Sequence, residues 1–331
     1  MTARMLRSML CPLLAAAAMA AQAGVGVRTL PAADAQHGPI TLWYPSAAAD
    51  THRSLGAFEL DGAWDAAPQR GNGRLVVLSH GSAGSPWPQH DLARALVQAG
   101  FIVASPEHQG DNWHDDSLTG PRAWIQRPRE ISGTIDRLAA DAAFGPLFDA
   151  QHVGVYGMSA GGLTALVMAG AQWQGSRMAE HCSAHAAEDP GFCRYGQRQV
   201  LPQAALAALQ ALPVQQHADA RVQAVVAAVP VGVVVLAPSL AQPKAAVGLV
   251  EAQQDRVLAP AFHVRAVQAA CARCETLAAL PGAGHDAVLS PWPAAVSARA
   301  GLSGAEAAGF DRTAQLPALY RTIARFFQQH L

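Results

Sequence analysis

Gly157-Met158-Ser159-Ala160-Gly161 sets a serine between two glycines in the spacing Gly-x-Ser-x-Gly. The pattern is short, and its flanks give it meaning. The apolar run Val153-Gly154-Val155-Tyr156 leads in, and an apolar helical run opens at Leu163. Strand, sharp turn and helix is the context in which a serine can be thrust out as a nucleophile. A turn that tight leaves little room for side chains two residues to either side, so glycine fits there. The helix start beneath the serine offers unpaired N–H groups and the positive end of a dipole.

A serine hydroxyl attacks poorly unless a base takes its proton. In this arrangement the base follows the last strand, and an acid lies between nucleophile and base. Pro281-Gly282-Ala283-Gly284-His285-Asp286 places His285 in a Gly-rich loop just after the last apolar run. An imidazole can accept the serine proton and return it to the leaving group. Other histidines, such as His263 and His330, lie within or beside helical runs. For the acid, Asp255 stands in the loop after the strand that ends at Val250. Its work would be to fix the His285 tautomer and steady the imidazolium. Glu251, at the strand end, and Asp286, beside His285, are the rival carboxylates.

Acyl transfer also needs preorganised N–H donors for the oxyanion. Ala160, the residue after the nucleophile, is expected to supply one. The Gly-rich segment Ser79-His80-Gly81-Ser82-Ala83-Gly84-Ser85 leaves a buried strand, and Ser82 is the expected second donor. His80 is then a support for that turn and not a second base.

These residues need a scaffold that brings several strand ends together. The chain alternates short apolar β-runs with helical stretches, which implies a mostly parallel sheet covered on both faces. Strands are expected over Pro39–Tyr44, Leu75–Ser79, Phe101–Ser105, Val153–Gly157, Val222–Val229, Ala246–Val250 and Leu277–Ala279. Helices are expected over Asp91–Gln98, Arg127–Ala143 (Pro128 near its start), Ala160–Gly170 and Leu316–His330. Residues 50–72 read as an excursion without periodicity. Residues 171–220 are polar, carry two cysteines and a cluster of His and Glu, and read as an insertion above the sheet.

The chain has 331 residues, 51% hydrophobic and 14% charged, which is ample material for a large core. A formal net charge of −1, with 24 acidic residues nearly balancing 23 basic ones, speaks against a nucleic-acid partner or an anionic membrane surface. The N-terminus reads as a signal peptide over residues 1–23. Arg4 and Arg7 precede an apolar run from Met9 to Met19 that is too short to span a bilayer, and Ala21-Gln22-Ala23 has the small-x-small form of a cleavage site. An uncleaved anchor or cytosolic helix is the alternative. Leu10 and Pro12 flank Cys11, where a lipobox would want small residues. Residues 24–331 then form one domain, periplasmic or secreted, with no membrane span.

Cleavage leaves Cys182, Cys193, Cys271 and Cys274. An even number in an oxidising compartment favours disulfides. Three pairings exist, and the local one, Cys182–Cys193 with Cys271–Cys274, is the expectation. The Cys-x-x-Cys at 271–274 could instead be redox-active or half of a zinc site, but no second such pair accompanies it.

Taken together, these stretches resemble the bacterial predicted dienelactone hydrolases and the platelet-activating-factor acetylhydrolases, both α/β-hydrolases. The resemblance runs through Val76–Gly81, Phe101–His108, Arg127–Ile131, the Ser159 turn, Asp255 and Gly284-His285. It covers the chain from about residue 36 onward, apart from 50–72 and the cysteine-bearing insertion. It implies carboxylic-ester hydrolysis without metal or cofactor, with Ser82, Ser159, Ala160, Asp255 and His285 matching position by position. Dienelactone hydrolases proper use a cysteine nucleophile, so the resemblance does not extend to dienelactone as substrate.

The leading expectation is therefore a serine esterase acting on a small or medium neutral ester. A peptidase or amidase on the same triad would need a pocket for a charged terminus or a larger binding domain, and neither is visible. A non-catalytic binding protein of the same fold would be expected to lack one of Ser, Asp or His. For the pocket, His108, Trp113 and Trp124 follow the strand Phe101–Ser105 and could grip an acyl or alcohol group through buried area. Plain packing is the competing account of the two tryptophans. Oligomeric state is not legible.

Overall fold

A computed structural model describes residues 24–34, 36–198, 207, 210–293 and 309–331. The segment 1–23, expected to be a signal peptide, lies outside the described residues, as does part of the expected 171–220 insertion.

Among the described residues ten strands form one sheet: β1 (Gly24–Leu30), β2 (Ile40–Ser46), β3 (Thr51–Leu55), β4 (Phe58–Trp64), β5 (Leu75–Ser79), β6 (Ile102–Pro106), β7 (Val153–Met158), β8 (Val222–Ala228), β9 (Ala246–Ala252) and β10 (Glu275–Leu280). Their spatial order is β10-β9-β8-β7-β5-β6-β2-β1-β4-β3. The run from β6 to β10 is parallel, and β2 joins β6 antiparallel. The parallel block matches the expectation of a sheet covered on both faces. Every residue of β5, β6 and β7 is buried, which is why these segments read as continuous apolar runs without alternation.

The helices are α1 (His90–Gln98), α2 (Pro121–Ala140), α3 (Ala160–Met168), α4 (Ser176–His185), α5 (Pro190–Arg198), α6 (Val264–Ala270) and α7 (Arg312–His330). One face of the sheet packs on α2, α3 and α6 through Ile131, Ile135, Leu163, Leu166 and Val264. The other packs on α1 and α7 through Leu92, Leu96, Leu319, Ile323 and Phe327. All nine residues of α3 are buried, as befits a helix that is apolar all round.

Three differences from the sequence reading have physical causes. The stretch 50–72, expected to be irregular, contains the β3–β4 hairpin. Four of the five residues of β3 are exposed, so the strand shows no apolar period. β1 was not expected, because it directly follows the signal-like segment. The second helix begins at Pro121, not near Pro128. Pro121 holds the first-turn position, where its missing N–H costs nothing, and Pro128 lies inside the helix.

The core strands change direction of succession between β5 and β7: the chain moves from β5 outward to β6, then returns to the other side of β5. Loops leaving β5 and β7 at their carboxyl ends therefore part at a switch point, where open α/β sheets leave a crevice for a ligand.

Candidate active site

Ser159 follows β7 at that switch point and begins α3. Its backbone sits at φ 59°, ψ −117°, a conformation that L-residues adopt only under constraint. The constraint is visible on both sides. Ser159 N donates to the Ala228 carbonyl at 3.0 Å, and Ser159 O accepts from Leu163 N and Val231 N, each at 3.2 Å. The flanking glycines are sterically required. A Cβ at Gly157 would stand 1.8 Å from the Gly161 carbonyl oxygen, and one at Gly161 would stand 2.0 Å from the Ser79 carbonyl oxygen.

Asp255 follows β9 and His285 follows β10. The two loops are tied by Gln254 N to the Ala283 carbonyl at 2.8 Å. His285 Nδ1 donates to Asp255 Oδ2 at 2.6 Å, and both side chains are largely buried. Burial alone would lower the His285 pKa. The charge and hydrogen bond of Asp255, with the charge of Asp286, outweigh it and raise the imidazole above its ordinary value. Of the rival acids, Glu251 is held by Arg265, whose Nε donates at 2.8 Å. The Asp286 carboxyl is pushed up by burial. The structure closes no hydrogen bond between Ser159 Oγ and His285 Nε2. Such bonds are often open without substrate and tighten in the Michaelis complex.

The two expected oxyanion donors lie just past the carboxyl ends of β5 and β7. Ala160 N is at the first position of α3 and has no partner in the preceding turn. Ser82 is a central residue of the turn closed by Gly84 N donating to the Gly81 carbonyl at 3.2 Å. The loop approaches the nucleophile closely: a Cβ at Gly81 would be 3.6 Å from Ser159 Cβ.

Beneath that loop lies a buried polar cluster that sequence reasoning did not assemble. His80, His108, Asp111, Arg127 and Glu130 are all buried. Arg127 donates to the His80 and Gly81 carbonyls and pairs with Asp111. His108 donates from Nδ1 to Glu130 Oε2 at 2.5 Å and accepts the Ser79 hydroxyl at Nε2 at 2.8 Å. Burial, reinforced by nearby positive charge, pushes both His80 and His108 well below the ordinary imidazole range. His80 supports the turn, as its position suggested, through a 2.7 Å bond from Nδ1 to the Gly81 carbonyl.

The three expected pocket residues are not brought together. His108 is 0% exposed, with both ring nitrogens engaged inside the protein, so it cannot touch a substrate as placed. Trp124 is 5% exposed and packs edge-on against Trp173 at 5.6 Å in the core. Trp113 is 68% exposed, and its backbone N–H donates to the Gly84 carbonyl, which puts it at the rim of the Ser82 loop.

Cys182 is joined to Cys193 and Cys271 to Cys274, the local pairing. The Cys-x-x-Cys thiols are thus bound to each other and not arranged as metal ligands. Among the described residues, no group of three or more His, Cys, Asp or Glu could hold a metal ion, and no helix is long and apolar enough to cross a membrane.

No protein-family model and no curated protein matches the chain. Among solved structures, a ferulic acid esterase from Streptomyces cinnamoneus is similar, with a TM-score of 0.60 over 96% of this chain and 92% of that one, at 18% identity. With the strand order described above, that similarity makes this an α/β-hydrolase fold.

Proposed function

We propose that this protein is a serine hydrolase that cleaves carboxylic esters through an acyl-enzyme on Ser159, in the periplasm or outside the cell. The observation that carries the reading is the constrained φ 59° of Ser159 at a strand–helix turn, in the same sheet edge as the 2.6 Å His285–Asp255 pair. A strained non-glycine backbone at a crevice points to function more than to stability.

The chemistry follows from those roles. Ser159 Oγ attacks the ester carbonyl carbon while its proton passes to His285 Nε2, and the carbonyl π-pair moves onto oxygen. The oxyanion is held by the N–H groups of Ser82 and Ala160. The intermediate collapses, the C–O bond to the alcohol breaks, and His285 returns the proton to the departing oxygen. Water, deprotonated by the same imidazole, then releases the acid and restores Ser159. Asp255 keeps the proton on Nδ1 so that Nε2 faces the hydroxyl.

The likeness to a ferulic acid esterase is one of fold and supports an ester substrate only as a class. The narrower resemblance to bacterial predicted dienelactone hydrolases and platelet-activating-factor acetylhydrolases rests on the sequence stretches. The periplasmic or secreted location is supported by the signal-like N-terminus and the two disulfides.

The test is a panel of p-nitrophenyl esters of increasing chain length, set beside peptide anilides, on wild type and Ser159→Ala. Turnover of esters, its loss in Ser159→Ala, and fluorophosphonate labelling at Ser159 are expected. Substantial ester hydrolysis by purified Ser159→Ala overturns the reading, and faster cleavage of anilides than esters moves it to an amidase.

A further inference from the structure

We infer that Arg127 is a positioning residue for the oxyanion site: it orients and polarises the Gly81–Ser82 peptide, and so aims and strengthens the Ser82 N–H. The inference rests on the proposed role of Ser82 as an oxyanion donor.

A trans peptide is a rigid plane whose C=O and N–H point in opposite directions. Fixing the Gly81 carbonyl therefore fixes the direction of the Ser82 N–H. That carbonyl accepts from three donors: Arg127 Nη2 at 3.1 Å, His80 Nδ1 at 2.7 Å and Gly84 N at 3.2 Å. The guanidinium also donates to the carbonyl one residue earlier, that of His80. Two successive peptide units are thus gripped by one planar cation.

The other side of Ser82 is held through the same pair. Asp111 turns one oxygen, Oδ2, to Arg127, accepting from Nε at 3.0 Å and lying 2.8 Å from Nη2. Its Oδ1 accepts from Ala83 N at 2.8 Å. Ala83 is a non-glycine residue at φ 51°, so the turn needs holding there. Ser82 is therefore bracketed, with the peptide before it on Arg127 and the amide after it on Asp111.

The choice of a charged pair for this work is informative. Arg127 and Asp111 are both fully buried, and a buried ion pair is a poor way to gain stability, because desolvation offsets most of its attraction. A cation on a carbonyl oxygen does something an apolar side chain cannot. It draws electron density through the amide and makes the N–H at the other end a better donor. His80 assists as a neutral ring: its Nδ1 donates to Gly81 while its Nε2 accepts from His108 N at 3.2 Å, so both nitrogens are committed.

The test separates oxyanion stabilisation from folding. Arg127→Met is compared with wild type on an aryl ester and on its thiono analogue, in which sulfur replaces the carbonyl oxygen. Sulfur is a weak acceptor, so the thiono ester gains little from the N–H donors. Rates are expressed per Ser159 titrated by a fluorophosphonate, which removes unfolded protein from the comparison. The expected result is a fall in kcat on the oxo ester of about 10²-fold, with KM nearly unchanged. The oxo-to-thiono rate ratio should fall by about tenfold or more. Should Arg127→Met fail to fold, Arg127→Met/Asp111→Asn takes its place, since removing both charges leaves none buried alone. A folded variant that keeps the wild-type ratio, or loses both substrates equally, overturns the inference. Failure of the esterase reading itself would show separately, as turnover surviving in Ser159→Ala.

Discussion

His285 Nδ1 donates to one oxygen of Asp255 at 2.6 Å, while the other oxygen accepts from the backbone N–H groups of Val257 and Leu258 at 2.8 and 2.9 Å. The carboxylate is thus oriented by its own loop before it meets the ring. Asp255→Asn should leave that loop intact, because the amide oxygen can still accept from Val257 and Leu258. Its NH2 then opposes the Nδ1 proton and favours the wrong tautomer. A drop in kcat of about 10³- to 10⁴-fold is expected, with unchanged thermal stability to within about 1 kcal/mol. A larger loss in Asp286→Asn, measured side by side, would transfer the acid role.

The pH profile should carry the same signature. Burial lowers the His285 pKa, but Asp255 and Asp286 together raise it above the ordinary 6.5. As the proposed base, His285 works only when neutral, so kcat/KM should fall as pH drops through a midpoint above 6.5. In Asp255→Asn the largest raising influence is gone and burial is less opposed. The residual activity should then titrate at a lower pH than in wild type. A wild-type midpoint below 6, read from kcat/KM on a neutral ester, would contradict the assigned pair.

The strain at Ser159 gives a stability prediction that is independent of activity. At φ 59°, ψ −117° an alanine keeps the strain, whereas glycine is at ease. Relief of roughly 1–3 kcal/mol exceeds the entropic penalty of glycine, roughly 0.5–1 kcal/mol. Ser159→Gly should therefore be more stable than Ser159→Ala by about 1 kcal/mol in urea denaturation, with both variants inactive. Equal stabilities would mean that the turn relaxes in the alanine variant.

The sequence made some of this architecture readable and hid the rest for identifiable reasons. β5, β6, β7, β8 and β9 are buried on both faces, so their apolar runs stand out, and the glycines around Ser159 mark a turn with no room for Cβ atoms. The β3–β4 hairpin has no such mark, since Thr51, His52, Arg53 and Ser54 all face solvent. The cluster under the Ser82 loop was hidden differently. Asp111 and Arg127 look like surface charges along the chain, and only the packing of α2 beneath β5 reveals that they are buried. Proximity of His108, Trp113 and Trp124 in sequence likewise does not fix which way each side chain faces: the first and last are buried and Trp113 is exposed.

The two tryptophans should now behave differently. Trp124, 5% exposed and edge-on to Trp173, is a core residue, and Trp124→Ala should cost about 3–5 kcal/mol. Its Nε1 has no hydrogen-bond partner among the described residues. Trp124→Phe removes that buried donor along with some volume, so it should cost much less than alanine. Trp113→Ala, at an exposed site, should leave stability within about 0.5 kcal/mol. An effect of Trp113→Ala on the chain-length preference for esters would make it a rim contact for substrate. Denaturation curves and the ester panel decide the two questions separately.

The insertion is stapled to the loop that carries Asp255, and this should couple its integrity to the site. Asp189 lies between the disulfide-bonded Cys182 and Cys193. Its Oδ2 accepts from His181 Nε2 at 2.9 Å and His263 Nε2 at 2.8 Å, and its Oδ1 accepts from Ala259 N at 3.1 Å. Ala259 and His263 belong to the segment running from Asp255 into α6, so one buried carboxylate ties α4 and α5 to the acid loop. Asp189→Ala strands two buried imidazole donors and the part-buried Ala259 N–H, and should cost about 3 kcal/mol or more. Opening the short Cys182–Cys193 loop by serine substitution should cost roughly 2–3 kcal/mol. The carboxylate's share should also depend on pH. Burial raises the Asp189 pKa, but the hydrogen bond and charge of His263, with Ala259 N and His181, outweigh it and hold the group below 3.8. A depressed carboxylate stabilises above its unfolded pKa and loses that contribution as pH falls through the folded one. The stability gap between wild type and Asp189→Ala should therefore be full at pH 5 and narrow below about pH 4. A gap that stays constant from pH 5 to pH 3 in urea denaturation would mean that packing, and not the carboxylate, holds the insertion on the acid loop.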